Sequence, residues 1–401
     1  MAFNITQQPT GSSPVLTQSP VPFTLFEDGD GITSQSFQYI LDLKFWRGDW
    51  DTNEPTASQY TLEKFPNESG RGIFDVGRIL NSEFQQPVQE LASNVLNFKA
   101  DGYWRWFSGS VAQTGSHITT DTFYSLDGYN LFGETINQNE SFYSKPWSIM
   151  TDGPTTQSFS DDDLSYGNLS VYTNTTDNIN DYSVNRILYT SNLGSATLNL
   201  TAYTSSYNQI QNIPIGILET AFPLSTSGLE YFTVQAASGS VGVGTPIRFE
   251  YKCKTKYDNI RIKWKNRYGQ FDYFNFDLVS RKDFSTETKQ YQPQLGSWDG
   301  TSLSYQSYDT AIQNYATDVK QTITVNSDYI SETYNDIFKQ LLVSDEIYIM
   351  EYYTNAFGTR TLVTTPITIQ TSSVQFKQQK VEKLIQYGFQ FQYGQGYKLQ
   401  F

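Results

Sequence analysis

The sequence predicts a mainly β protein: several antiparallel sandwiches or barrels in a multi-domain chain, with a few short helices. Three observations lead there. First, 63 of the 401 residues are aromatic, with 29 Tyr, 27 Phe and 7 Trp, and aromatic and β-branched residues fit the pleated surface of a sheet. Second, apolar residues recur with a period of two in many short segments, the signature of half-buried strands. Third, Gly, Asn, Asp, Ser and Pro punctuate those segments at short intervals, as in sandwiches and barrels. A chain of this length suggests two or three domains. Its ring content excludes intrinsic disorder.

Residues 1–20 lack periodicity and read as an extended arm, free at the terminus or ordered against a neighbouring subunit. The stretch 21–110 reads as an amino-terminal β domain with short helices. In it Phe37, Tyr39, Leu41, Leu43 and Phe45 alternate with polar residues, which predicts an antiparallel strand. Between residues 73 and 98, Ile79, Leu80, Phe84, Val88, Leu91, Val95 and Leu96 keep roughly helical spacing. Pro87 divides this stretch into two short helices. Tyr103–Phe107 is a short aromatic strand. The stretch 111–225 is a polar, β-rich middle domain, with strands expected at 169–172, 187–189 and 198–203.

The stretch 226–401 reads as a carboxy-terminal β domain with one amphipathic helix. Alternation at 231–236 and 247–257 predicts strands. Ile260, Ile262 and Trp264 alternate with Arg261, Lys263 and Lys265, then Asn266-Arg267-Tyr268-Gly269 turns the chain into a strand at 271–278. This predicts a hairpin with an apolar face, anchored in the core by Trp264, and a charged face. Ile330, Tyr334, Ile337, Phe338, Leu341 and Leu342 form one stripe, so a helix is expected over 328–342, capped by Ser327 or Asp328. Strands follow at 346–353 and 361–370. Tyr387, Phe389, Phe391 and Tyr393 resume the alternation, which continues past a Gly394-Gln395-Gly396 turn to Phe401.

Charge and cysteine content narrow the function classes. Residues 1–200 hold 23 acids against 9 bases, and residues 201–401 hold 18 of each, so the net charge of -14 lies in the first half. That excess opposes nonspecific binding to nucleic acid. Cys253 is the sole cysteine, which excludes an intrachain disulfide and a Cys-based zinc site. The first twenty residues have neither a basic start nor an apolar run, so no secretory leader is expected. No apolar run is long enough for a membrane-spanning helix.

Searches for catalytic chemistry nominate no residue. His117 is the only imidazole and reads as an ordinary strand-entry histidine. There is no GxSxG elbow, no phosphate-binding P-loop and no dinucleotide fingerprint. Asp28-Gly29-Asp30-Gly31 lacks the bidentate Glu of a calcium loop, because Tyr39 stands at the twelfth position. Asp161-Asp162-Asp163 reads as a solvated acidic loop. No enzyme activity, cofactor or metal is therefore expected. Trp46, Trp50, Trp104 and Trp106 are weighed as sugar-stacking platforms, with a core role favoured for Trp104 and Trp106. Six Asn-x-Ser/Thr sequons, at Asn4, Asn67, Asn139, Asn168, Asn174 and Asn199, follow from the composition.

The strongest candidate contact surface is basic. Lys252, Lys254, Lys256, Arg261, Lys263, Lys265 and Arg267 fall within 16 residues, against a single acid, Asp258. Such a face suits contacts between copies or with an acidic partner, set against the acidic first half.

The block Arg261–Phe276, RIKWKNRYGQFDYFNF, resembles a motif in virion proteins of tailed bacteriophages of marine and Bacteroidetes-type hosts. Gly72–Leu80 is similar to an amino-terminal block in the same proteins, and Val381–Phe401 resembles their ending. The resemblance implies a tail, baseplate or neck component that assembles with other virion proteins and as a homo-oligomer. It would be made in the host cytoplasm and carried in the virion, with no catalytic residues. A receptor- or glycan-binding tail-fibre module, contacting host surface sugars, is the alternative. A polysaccharide depolymerase is the third reading.

Overall fold

The structure, a computed structural model, describes residues 3–9, 15–29, 37–46, 58–84, 95–108, 111–134, 149–159, 167–173, 186–199, 209–216, 222–238, 241–242, 244–253, 256–257, 259–354, 358, 360–378 and 385–394. Strands dominate it, and α-helix is confined to Gly77–Ser82 and Asn335–Val343 among the described residues. The chain forms two compact units. The first is Met1–Cys253 together with the segment Lys265–Asp272. The second is Lys254–Trp264 with Tyr273–Phe401.

The first unit holds two hydrophobic cores. Around the first, the sheet of Phe3–Gln7, Pro22–Glu27 and Arg71–Asp75 accompanies a five-stranded sheet. That larger sheet runs in the order Val15–Leu16, Val111–Leu126, Val95–Ser108, Phe37–Trp46 and Ser58–Lys64. Phe37, Tyr39, Leu41, Leu43 and Phe45 all point into this core, so the period-two reading of that strand holds. Tyr39 bridges the chain with its hydroxyl, accepting from the Glu27 amide at 3.0 Å and donating to the Gly70 carbonyl at 2.7 Å.

The described part of the first twenty residues, 3–9 and 15–20, is not a free arm. Phe3–Gln7 pairs antiparallel with Pro22–Glu27, and Val15 and Leu16 are buried beside Ser125 and Leu126. Phe3 stacks on the Tyr39 ring, so the apolar positions of a polar-looking terminus suffice to dock it. The helical expectation over 73–98 also needs correction. Ile73 and Phe74 belong to the strand Arg71–Asp75, one short helix covers Gly77–Ser82, and Val95 and Leu96 open the strand Val95–Ser108. Of the residues at helical spacing, Ile79 and Leu80 belong to the helix, while Val95 and Leu96 belong to the following strand. Residues 85–94, including Pro87, lie outside the described residues.

The second core lies beneath a sheet that runs in the order Gly194–Asn199, Arg186–Ser191, Tyr231–Ser238, Ile247–Tyr251 and Thr156–Phe159. Its last pair is parallel, as is the pairing of Val15–Leu16 with Val111–Leu126. The hairpin Asn168–Thr173 with Gln209–Pro214 contributes Leu169, Val171 and Ile213 to this core. The composition boundary at residue 110 falls between the paired strands Val95–Ser108 and Val111–Leu126. The core itself draws on residues 149–249 and so runs past residue 225.

The second unit is built on a seven-stranded sheet. Its order is Phe271–Phe276, Ile260–Lys265, Ile347–Thr354, Arg360–Ile369, Gly388–Tyr393, Gln313–Asn326 and Arg281–Tyr291. Ile262, Trp264, Ile349, Phe389 and Phe391 fill the core beneath it, and Trp264 is fully buried there. The helix begins later than the sequence suggests, with a 3-10 turn at Glu332–Tyr334 followed by Asn335–Val343. Its cap is Ser331, whose hydroxyl accepts from the Thr333 amide. Ser327 instead accepts from the Tyr387 amide at 3.0 Å. Phe338 on this helix packs edge-on against Tyr387, 5.5 Å between ring centroids, and lies 5.3 Å from Phe389. The carboxy-terminal strand thus packs against this helix. Residues 395–401, on which the second half of that alternation falls, lie outside the described residues.

Candidate functional site

The strand within the basic run does not form a solvated stripe. All six residues of Ile260–Lys265 are buried. In the second unit, the Arg261 guanidinium donates to Asn275 Oδ1 at 2.6 Å and lies 4.9 Å from the centroid of Tyr273. Lys263, 2% exposed, sits 5.3 Å from the Tyr348 ring. The charged face predicted for this hairpin is therefore internal, with its stems packed among aromatic rings and polar partners. Lys252 is half-buried, and Lys256 is exposed beside the Tyr257 ring. Lys254 lies outside the described residues.

Lys265 and Arg267 belong to the first unit, within a buried polar cluster. Lys265 Nζ meets Asp127 Oδ2 at 2.6 Å. Arg267 donates to Glu134 Oε1 at 2.7 Å and to Asp152 Oδ1 at 3.3 Å. The Tyr268 hydroxyl donates to the same Asp152 oxygen at 2.7 Å. The acidic excess of the first half thus supplies the partners of these two cations within the chain.

The turn Asn266–Gly269 organises this cluster. Asn266 Oδ1 accepts from the amides of Tyr268 and Gln270, at 3.0 and 3.1 Å, while its Nδ2 donates to the Met150 carbonyl at 2.8 Å. Gly269 has φ +72°, and a Cβ there would stand 2.3 Å from the Asp127 carbonyl. Both the left-handed backbone and the close approach require glycine. Ser170 Oγ donates to Gln270 Oε1 at 2.9 Å. Burial pushes the Tyr268 hydroxyl well above its ordinary value, with the Asp152 carboxylate adding to the effect.

Asp272, beside this cluster, is displaced toward neutrality. Burial raises its carboxyl from 3.8 to about 7, against the opposing hydrogen bonds from Thr151 and Asn266. Between about pH 4 and pH 7 the folded chain holds a proton there that the unfolded chain releases. This group's contribution to stability therefore falls as pH rises through that window and levels off above it. Asp272→Asn is expected to melt near the wild-type temperature at pH 4 and clearly above it at pH 8. The full displacement is worth on the order of 4 kcal/mol. Melting curves at the two pH values check this, and a gap that does not widen with pH refutes it. Chemically the cluster fixes backbone segments of the first unit.

The surface feature that sequence reasoning missed is a two-stranded ribbon. Arg281–Tyr291 pairs with Gln313–Asn326, and all eleven residues of the first strand are exposed. Only Thr322–Asn326 of the second strand also pairs with Gly388–Tyr393. From Phe284 and Gln321 outward the two strands have no other strand partner among the described residues. The ribbon projects about 26 Å from the sheet at roughly 3.3 Å per residue. A small hairpin, Ser297–Trp298 with Leu303–Ser304, lies in its tip. Asp299 shapes that hairpin by accepting from the amides of Thr301 and Ser302, which hold its carboxyl below the usual range. Asp309 accepts from the Gln306 amide in the next turn.

Large apolar side chains crowd this tip in the open. Trp298 is 65% exposed, Tyr305 69%, Tyr308 80% and Tyr315 64%. Residues 292–312 contain no Lys or Arg. The available signal was an uninterrupted alternation-poor polar stretch with scattered rings, which carries no buried period.

The other sequence candidates are placed less fully. His117 lies in the strand Val111–Leu126 opposite Tyr103, and Trp104 and Trp106 lie opposite Tyr39 and Phe37. The side chains of His117, Trp104, Trp106 and Trp46 lie outside what the structure describes, as do Trp50, Asp30, Gly31 and Asp161–Asp163. No group of three or more potential metal ligands gathers among the described residues. No helix there is long and apolar enough to cross a membrane. No family model and no curated protein matches the chain.

Proposed function

We propose that the protein is a structural component of a phage particle, of the tail or baseplate, acting through protein–protein assembly. The observation that carries this reading is the projecting ribbon with exposed aromatic rings at its tip. An isolated two-stranded ribbon is marginal in water. Exposed contiguous apolar surface marks interaction sites, and Trp and Tyr are the residues that most often dominate them. The resemblance of Arg261–Phe276 to tailed-phage virion proteins gives the assembly its setting.

The test is incorporation. Replacing Trp298, Tyr305 and Tyr308 together by Ser is expected to leave the melting temperature within about 2 °C, since exposed substitutions move stability little. The same change is expected to abolish binding to particle proteins and incorporation into particles. Normal incorporation of the triple variant would overturn the role of the tip. Absence of the wild-type protein from purified particles would overturn the setting.

A second reading has its own support in the same tip. Exposed rings among Ser, Thr, Gln and Asp side chains, with no basic residue, also suit stacking on sugars. Under that reading Trp298→Ala removes binding on a glycan array while assembly persists.

A further inference from the structure

We infer that the edge strand Arg281–Tyr291 pairs with the same strand of a second copy, antiparallel, about a two-fold axis at Thr286. The inference deepens the assembly reading by naming one contact and its partner.

The strand ends the seven-stranded sheet, and all eleven of its residues are exposed. It has no proline. The one register irregularity of the ribbon, between Lys289 and Gln290, leaves the extra residue on the other strand, because Ala316 and Asn314 are their successive partners. A long, regular, exposed edge is a template for pairing with another chain.

The sequence of this strand is self-complementary in one register. With Thr286 on the axis, Asp283 of each copy faces Lys289 of the other. Arg281 faces Tyr291, Lys282 faces Gln290 and Ser285 faces Glu287. No residue meets a like charge. Slipping by two residues keeps the faces but breaks the match. One slip sets Arg281 on Lys289 and Asp283 on Glu287, and the other sets Glu287 on Glu287. Directly opposed like charges destabilise a sheet pair and opposite charges support it, so the charge pattern selects this register. The intrachain contact of Lys289 does not compete strongly. Its ammonium lies 3.5 Å from Asp318 with both side chains more than half exposed, a weak class of ion pair.

Pairing also resolves the ribbon's instability. Two ribbons joined at these edges make one four-stranded sheet, and three or more strands are what independent stability needs. A two-fold, isologous contact closes on itself and yields a dimer, not a fibre.

The experiment is sedimentation of the full chain at low salt, with two single variants. Asp283→Lys sets Lys against Lys289 twice per dimer, and Lys289→Glu sets Glu against Asp283 twice. Each variant alone is expected to raise the dimer Kd roughly tenfold or more. An equimolar mixture of the two is expected to restore dimers, because the mixed pair has opposite charges at both positions. Unchanged circular dichroism and melting control for folding. As a second measurement, Thr286→Cys in a Cys253→Ser background is expected to cross-link to itself on mild oxidation, and Arg281→Cys is not. Removal of the exposed Cys253 thiol prevents unrelated bridges.

A wild-type chain that stays monomeric at about 100 μM would overturn the inference, since a useful weak interface binds below that. So would dimers insensitive to both variants, or a mixture that fails to recover. Any of these alongside tip-dependent incorporation into particles would leave the assembly reading standing.

Discussion

Arg267→Ala is expected to destabilise the protein by about 3–5 kcal/mol, the loss seen when one partner of a buried ion pair is removed. The guanidinium serves two carboxylates, Glu134 and Asp152, from a side chain only 12% exposed. Its loss leaves both without their cation in a place with little water. Arg267→Lys recovers part of the deficit, because a single ammonium cannot match the planar fork that reaches both acids. Adding Glu134→Gln and Asp152→Asn to Arg267→Ala is expected to return more than half of the loss, since the stranded charges are then gone. Chemical denaturation at pH 7 measures all three. An Arg267→Ala midpoint equal to wild type would show that the cluster is solvated in solution.

Deleting residues 386–401 is expected to make the protein insoluble. The strand Gly388–Tyr393 is not an edge: it pairs with Thr322–Asn326 on one side and Ile367–Ile369 on the other. Its removal splits the seven-stranded sheet into two pieces and exposes two new edges. It also uncovers Phe338, whose ring packs against Tyr387 and Phe389. A milder form, Phe389→Ala, is expected to cost about 3–5 kcal/mol through the cavity it leaves. Light scattering and soluble yield report the deletion, and thermal melts report the point change. A soluble truncation with a sharp melt would refute the assignment of this strand to the interior of the sheet.

Much of the fold was readable from local pattern. Phe37–Phe45, Tyr231–Ala236 and Tyr387–Phe391 alternate because each has one face on a core and one on a polar surface, and that geometry is written into nearest neighbours. The helix was found from its stripe, though Ser331 caps it and not Ser327, because the hydroxyl of Ser327 is held by the Tyr387 amide far along the chain. The basic hairpin shows the limit. Arg261, Lys263 and Lys265 alternate with apolar residues just as a half-solvated strand would. What buries them is distant in sequence: Asn275 and Tyr348 for the first two, Asp127 for the third. The ribbon escaped notice for the opposite reason, since a strand exposed on both faces has no buried period to detect.

The turn Asn266–Gly269 has a consequence for how the chain is made. Asn266 bonds to Met150 across 116 residues, and Arg267 reaches Glu134 across 133. Translation proceeds from the amino terminus at roughly 5–20 residues per second. A nascent chain that has emerged as far as Cys253 carries Asp127, Glu134 and Asp152 while their cations, Lys265 and Arg267, are still within the ribosome. The first unit therefore waits roughly one to four seconds in an incomplete state until the residues up to Asp272 follow. Long-range closures of this kind slow folding. The residues from Lys265 to Asp272 act as a terminal fastening, and a ribosome stalled before them would hold a partly folded chain open to proteolysis.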